Sequence, residues 1–198
     1  MAQVFEVRIH GRGGQGVVTA AEMLSVAAFR EGKYSQAFPT FGSERMGAPV
    51  VSFCRWDNKA IRLREPIIAP NALITQDASV IGHSNPFDGF DESGFLLVNS
   101  NRTFEELGLD KILTHYSPER HWVVPASAVA LKHVGRPLPN ACLLGAFVAV
   151  TRWLKLESVI AAIYEKFPGR IGAANEAAAR AAFEIILERQ EVPCAETA

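Results

Sequence analysis

Cysteine is scarce in this chain. Cys54, Cys142 and Cys194 are three in 198 residues, widely separated, with no C-x-x-C pair. That spacing argues against a zinc ribbon and against a self-contained iron–sulfur cluster, both of which need closely set thiolates. Cys54 and Cys142 fall in apolar runs and read as small buried hydrophobes. The five histidines, His10, His83, His115, His121 and His133, show neither H-x-x-x-H nor HExxH spacing. No charge of one sign dominates. The net charge is -1, so no basic field points to nucleic acid, and an anion site has to come from local charges. Long apolar runs are also missing: residues 141–151 fall well short of the about 20 needed to span a bilayer. Strand-like sequence begins at once, with no signal-peptide pattern, and the expectation is a cytoplasmic protein with no membrane partner. None of Ser43, Ser52 and Ser127 lies in a G-x-S-x-G elbow. Asp88, Asp91 and Glu92 sit in a Gly/Pro/Asp-rich stretch, 85–94, which reads as a solvated loop and not as an acid–base pair.

What the chain does have is the run His10-Gly11-Arg12-Gly13-Gly14-Gln15-Gly16, set between a strand-like segment (4–9) and a helix-like one (17–30). Gly11, Gly13 and Gly16 match G-x-G-x-x-G. Such glycines allow a tight turn and a close approach of backbone to another surface. The helix that follows opens with unpaired amides suited to an anion, and Arg12 adds a cation within the loop. A strand packing tightly into a helix produces the same spacing, so this reading and the phosphate reading both stand here. Val17-Val18 replace the Lys-Ser/Thr of a P-loop, which argues against a nucleoside triphosphatase. The second strand candidate, 34–38, runs into Pro39-Thr40-Phe41 and not into the acid that holds a nicotinamide ribose.

Strand and helix signals alternate. Strands are expected at 50–56, 72–75, 95–99 and 121–125, and a hairpin at Asp57-Asn58 with a return strand over 59–63. Helices are expected at 17–30, 127–134, 140–153, 157–167 and 173–191. This order predicts an α/β fold, a Rossmann-like, mostly parallel sheet flanked by helices with a helical C-terminal part. With 48% hydrophobic and 21% charged residues, one domain over 1–192 is expected, followed by a flexible tail, 193–198. The loop 38–49 would follow the second strand and lie near the glycine run. There Arg45 and Arg12 could face a phosphate together, or Glu44 and Arg45 could form a plain surface ion pair. No nucleophile–base–orienter set can be placed, and the residues read as a binding and positioning domain.

Two stretches, Glu6 to Ala20 and Gln36 to Val50, together resemble the gamma subunit of 2-oxoacid:ferredoxin oxidoreductases, the pyruvate:ferredoxin oxidoreductase family. Ile61-Arg62-Leu63-Arg64 and Asn140 to Ala146 agree with it, while Met46 stands where many members carry a second arginine. The resemblance implies oxidative decarboxylation of a 2-oxoacid by a complex in which thiamine diphosphate, magnesium and [4Fe-4S] clusters sit on partner subunits of alpha, beta and delta type. Electrons then pass to ferredoxin or another acceptor. The chain has no Gly-Asp-Gly followed by Asn-Asn, the thiamine-binding pattern. For this chain the resemblance implies a non-catalytic role in binding coenzyme A and completing the assembly. Gly11, Arg12, Gly13, Gly14, Gln15, Gly16, Glu44 and Arg45 are the candidates for the nucleotide phosphates, and no catalytic residue is assigned. The alternatives are a purely structural subunit of a coenzyme-A-independent member, such as one oxidising oxalate or an aryl oxoacid, and a free-standing nucleotide-binding oxidoreductase.

Overall fold

Strand β1, Phe5–Arg12, is the pivot of the computed structural model, which describes residues 4–40, 46–82 and 85–191. It runs antiparallel to β3 (Pro49–Asp57) on one side and parallel to β4 (Ala72–Thr75) on the other. With β2 (Tyr34–Pro39), β5 (Phe95–Asn99) and β6 (His121–Val124), they form one sheet in the order β2-β3-β1-β4-β5-β6. Only β3 runs against the rest, so the sheet is mostly parallel, as expected. The return strand expected at 59–63 does not form. Both ladders of β3 are already taken, by β1 and by β2, and no edge is left for it. Residues 59–66 instead leave the turn as chain outside the sheet, exposed except for half-buried Ile61.

Alternation along β1 decides what each face meets. Phe5, Val7 and Ile9 enter a large core shared with α1 (Val17–Arg30), α3 (Ala126–Val134), α4 (Asn140–Thr151), α5 (Leu156–Lys166) and α6 (Gly169–Glu191). All twelve residues of α4 are buried, which explains its apolar character on every side. Gly145 lets α6 approach it, since a Cβ there would run into the carbonyl oxygen of Ala179. Ala178, Ala182 and Ile186 repeat at four-residue spacing on the buried side of α6. The alanine-rich sequence is therefore a close-packing stripe.

Glu6, Arg8 and His10 point to the other face. A second core lies there, built from Leu73, Leu96, Val98, Phe87, Phe90 and two residues next to or within the short helix α2 (Asp110–Leu113), Leu109 and Leu113. Arg8 is buried and donates to the carbonyl oxygens of Ile67 (3.3 Å), Ile68 (3.1 Å), Pro86 (2.7 Å) and Asp88 (2.6 Å). One guanidinium thus staples two loops to the sheet. The carboxylates of Asp88, Asp91 and Glu92 face solvent, as expected, while their loop is anchored by Phe87 and Phe90. Among the described residues no helix is long and apolar enough to cross a membrane. The expected tail, 193–198, lies outside the described residues.

Candidate functional site

The glycine run begins inside β1. Gly11 and Arg12 are its last two residues and pair with Val50 and Pro49. The pairing continues past the strand: Gly13 N–H donates to Ala48 O (2.9 Å) and Gly47 N–H to Gly13 O (3.2 Å). The end of the 38–49 loop therefore does meet the glycine run, through the antiparallel course of β3. Gly16, at φ 75, caps α1 in the left-handed conformation with no side-chain capping bond, and Ala20 N–H donates to its carbonyl. The N–H groups of the first turn of α1 are the anion-attracting kind.

Gln15 and Arg12 are held by Asp77, which follows β4. Gln15 Oε1 accepts from Arg12 N–H (2.8 Å) and its Nε2 donates to Asp77 Oδ2 (2.8 Å). Asp77 Oδ1 accepts from Ser79 N–H (2.9 Å) and Ser79 Oγ (2.6 Å). Arg12 Nε donates to Ser79 Oγ (2.9 Å) and lies 3.6 Å from Asp77 Oδ2, while Nη1 donates to Gly47 O (2.9 Å). Partial burial alone would raise the Asp77 pKa. Hydrogen bonds from Ser79 and Gln15 and the charge of Arg12 more than offset that, and the carboxyl titrates below its ordinary value. Arg12 is thus a fixed cation, braced to three segments.

A cavity of about 430 Å³ opens against this loop, lined by Arg12, Gly13, Gly14, Val17, Val18 and Met46, among others. It has a backbone floor, one cation at the rim and an apolar wall, with Met46 88% exposed beside Gly14. The structure brings Gly11, Arg12, Gly13, Gly14, Gln15 and Gly16 to one place. Glu44 and Arg45 lie outside the described residues.

Sequence reasoning missed Asp77 and Gln76. The Asp77-Ala78-Ser79 pattern straight after a strand run is a turn signal that could have pointed to Asp77. Gln76 carries no comparable mark. It is 1% exposed, its N–H donates to His10 O (2.7 Å), and Asn99 Nδ2 donates to its carbonyl (2.8 Å). On the opposite face, His10 is buried. Loss of solvent, then the charge of Arg8, push its pKa down to about 4. Cys54 and Cys142 are buried as expected; burial pushes both thiols up, Cys142 to about 12. Among the described residues no group of three or more His, Cys, Asp or Glu converges as a metal site would. β1 has antiparallel β3 on one side and parallel β4 on the other; the acid just beyond β4, Asp77, is taken up by Gln15, Ser79 and Arg12.

The family model described as pyruvate ferredoxin/flavodoxin oxidoreductase matches residues 6–185. The chain is 44% identical over 181 residues to the pyruvate synthase subunit PorC of Methanothermobacter marburgensis, covering 91% of this chain and 97% of that one. It is also 44% identical to the pyruvate/ketoisovalerate oxidoreductases common subunit gamma of Pyrococcus furiosus, with 91% and 96% covered. Among solved structures, the pyruvate oxidoreductase subunit PORC of Thermotoga maritima superposes with a TM-score of 0.77 at 35% identity, covering 92% of this chain and 96% of that chain.

Proposed function

The chain belongs to the pyruvate ferredoxin/flavodoxin oxidoreductase family, and we propose that its part in such a complex is to hold coenzyme A beside a thiamine site carried by a partner. It is a gamma-type subunit of a 2-oxoacid oxidoreductase, an assembly that decarboxylates and oxidises its substrate. In this reading residues 1–192 act as one gamma domain of a cytoplasmic complex. Alpha, beta and delta-type partners supply thiamine diphosphate, magnesium and [4Fe-4S] clusters and hand electrons to ferredoxin or another acceptor. No bond chemistry falls to this chain.

The observation that carries the reading is the cavity at Gly13-Gly14, between the bare first turn of α1 and the braced guanidinium of Arg12. Coenzyme A has anionic phosphates and a long arm in which methylenes and a gem-dimethyl group alternate with two amides. Amides and a fixed cation suit the first, and Val17, Val18 and Met46 suit the second. Glu44 and Arg45, which the resemblance implies for the phosphates, lie outside the described residues.

The internal bonds of Arg12 favour a second reading, in which the loop serves assembly alone. Arg12→Ala in the purified complex separates the two. A raised apparent KM for coenzyme A with kcat kept supports coenzyme A binding. Weakened assembly, with coenzyme A kinetics unchanged in the complex that remains, supports the structural role.

A further inference from the structure

The two edges of the sheet are finished differently. At β6, Arg189 of α6 donates to the carbonyl oxygen of Val123 (2.8 Å). At the far edge β2 pairs β3 alone, and among the described residues no backbone bond reaches its outer side. The register identifies the outward groups. Thr40 N–H donates to Val51 O, one step beyond the Pro39–Ser52 pair. By the alternation of an antiparallel ladder, Phe38, Gln36 and Tyr34 turn their amides to β3, while Ser35 and Ala37 turn theirs outward. Pro39, which has no N–H, falls in the outward set, where β3 asks nothing of it.

An open edge is a template for another strand, and proteins blunt such edges with charge, proline, bulges or a cover; here the proline, Pro39, stands only at the end of the strand. Tyr34–Pro39 contains no charged residue. A hollow lies beside the strand on each face: about 540 Å³ on the helical side, with Val26 and Phe29 beside Ser25, Ser35 and the Arg30–Glu165 ion pair, and about 880 Å³ with Phe38, Phe53 and Pro66 on the other. A strand laid along β2 would send alternate side chains into the two hollows. The second hollow is bordered by the unpaired segment 59–66, fixed across the sheet by Gln36 Nε2 to Ile61 O (3.3 Å) and by Arg55 to Glu65 O. Lys59, Arg62 and Arg64 are exposed on it against Glu65 alone, and Arg64 lines the hollow.

We propose that β2 is the docking strand for an extended segment of a partner subunit, about six residues long, alternating apolar and acidic side chains. This rests on the reading of the chain as a subunit of an oxidoreductase complex. The main-chain bonds would fix the partner's position and the two hollows its side chains. A second copy of this chain fits poorly. Two β2 strands joined antiparallel in one continuous sheet keep the same face on the same side, which would bring two segments bearing Lys59, Arg62 and Arg64 together as like charges.

Residue-resolved amide hydrogen exchange, on the free full chain and on the same chain within the purified complex, reads the outward groups directly. The Ser35 and Ala37 amides should exchange readily in the free chain and slow by at least about tenfold in the complex, with Phe38 protected in both. Unchanged exchange in an assembled complex overturns the docking strand and leaves the subunit reading standing. A wild-type chain that joins no complex with co-expressed partners overturns both. Slowing in the free chain that rises with its concentration assigns the edge to a second copy and overturns the partner. The exposed pair Arg62→Glu/Arg64→Glu should lose co-elution with the complex on size exclusion while the free variant keeps its wild-type circular dichroism; full retention overturns the acidic partner.

Discussion

Gly16 and Asn140 meet where α1 and α4 begin: a Cβ on Gly16 would lie 2.6 Å from Asn140 Nδ2. The contact joins the glycine loop to the buried central helix. Gly32 has nearly the same backbone, φ 77 against 75, but open space around it. Gly32→Ala should cost the left-handed strain alone, about 1–2 kcal/mol. Gly16→Ala should cost that and a further ~1–3 kcal/mol of overpacking. Urea midpoints of the two variants measure the difference.

The α4–α6 contact allows a sharper packing test. Gly145→Ala places a methyl on the Ala179 carbonyl, and two buried helices have to separate. A loss of about 1–3 kcal/mol or more is expected in urea denaturation. Gly108→Ala, with nothing near its Cβ position, should show only the left-handed backbone cost.

Stability should fall with acid in a window set by His10. Its folded pKa is about 4, below the ordinary 6.5, so the unfolded chain takes up the proton first. The contribution is complete above about pH 6.5 and is lost as pH falls toward about 4. In that window this group adds a slope of up to about 1.4 kcal/mol per pH unit. His10→Phe should flatten it, measured as urea stability across the pH series. An unchanged slope would show that the imidazole is not the group responsible.

Arg8 offers the largest single loss. Arg8→Met keeps an apolar stem but leaves the carbonyls of Ile67, Ile68, Pro86 and Asp88 without their donor. A loss of about 3 kcal/mol or more is expected. Limited proteolysis should cut first near 66–68 or 86–88, because those loops lose their attachment to the sheet.

Much of this fold could be read from the chain because the signals were local. Glycines before Val17 and Glu31-Gly32 after Arg30 bound α1, and the short apolar runs at 72–75 and 95–99 became β4 and β5. The 59–63 segment was misleading for a non-local reason. Its alternation suits a strand, but β3 gives its second edge to β1, and nothing near 59–63 records that pairing. Gly13 to Gly16 were legible as a loop before a helix, whereas Gly11 and Arg12 belong to β1, which runs three residues further than its apolar pattern suggests. The brace of Arg12 by Asp77 and Ser79 was not, because it exists only once β4 lies beside β1.

Coenzyme A affinity of the assembled complex carrying Val18→Asp tests the central claim most directly. Val18 lines the cavity in the first turn of α1. A carboxylate there suits the helix dipole but opposes an anionic ligand, so stability and binding should respond differently. The variant complex should keep its assembly and its thermal stability to within about 1 kcal/mol of wild type, while its calorimetric Kd for coenzyme A weakens about tenfold or more, equivalent to about 1.4 kcal/mol. An unchanged Kd in an intact complex would contradict coenzyme A binding at the glycine loop.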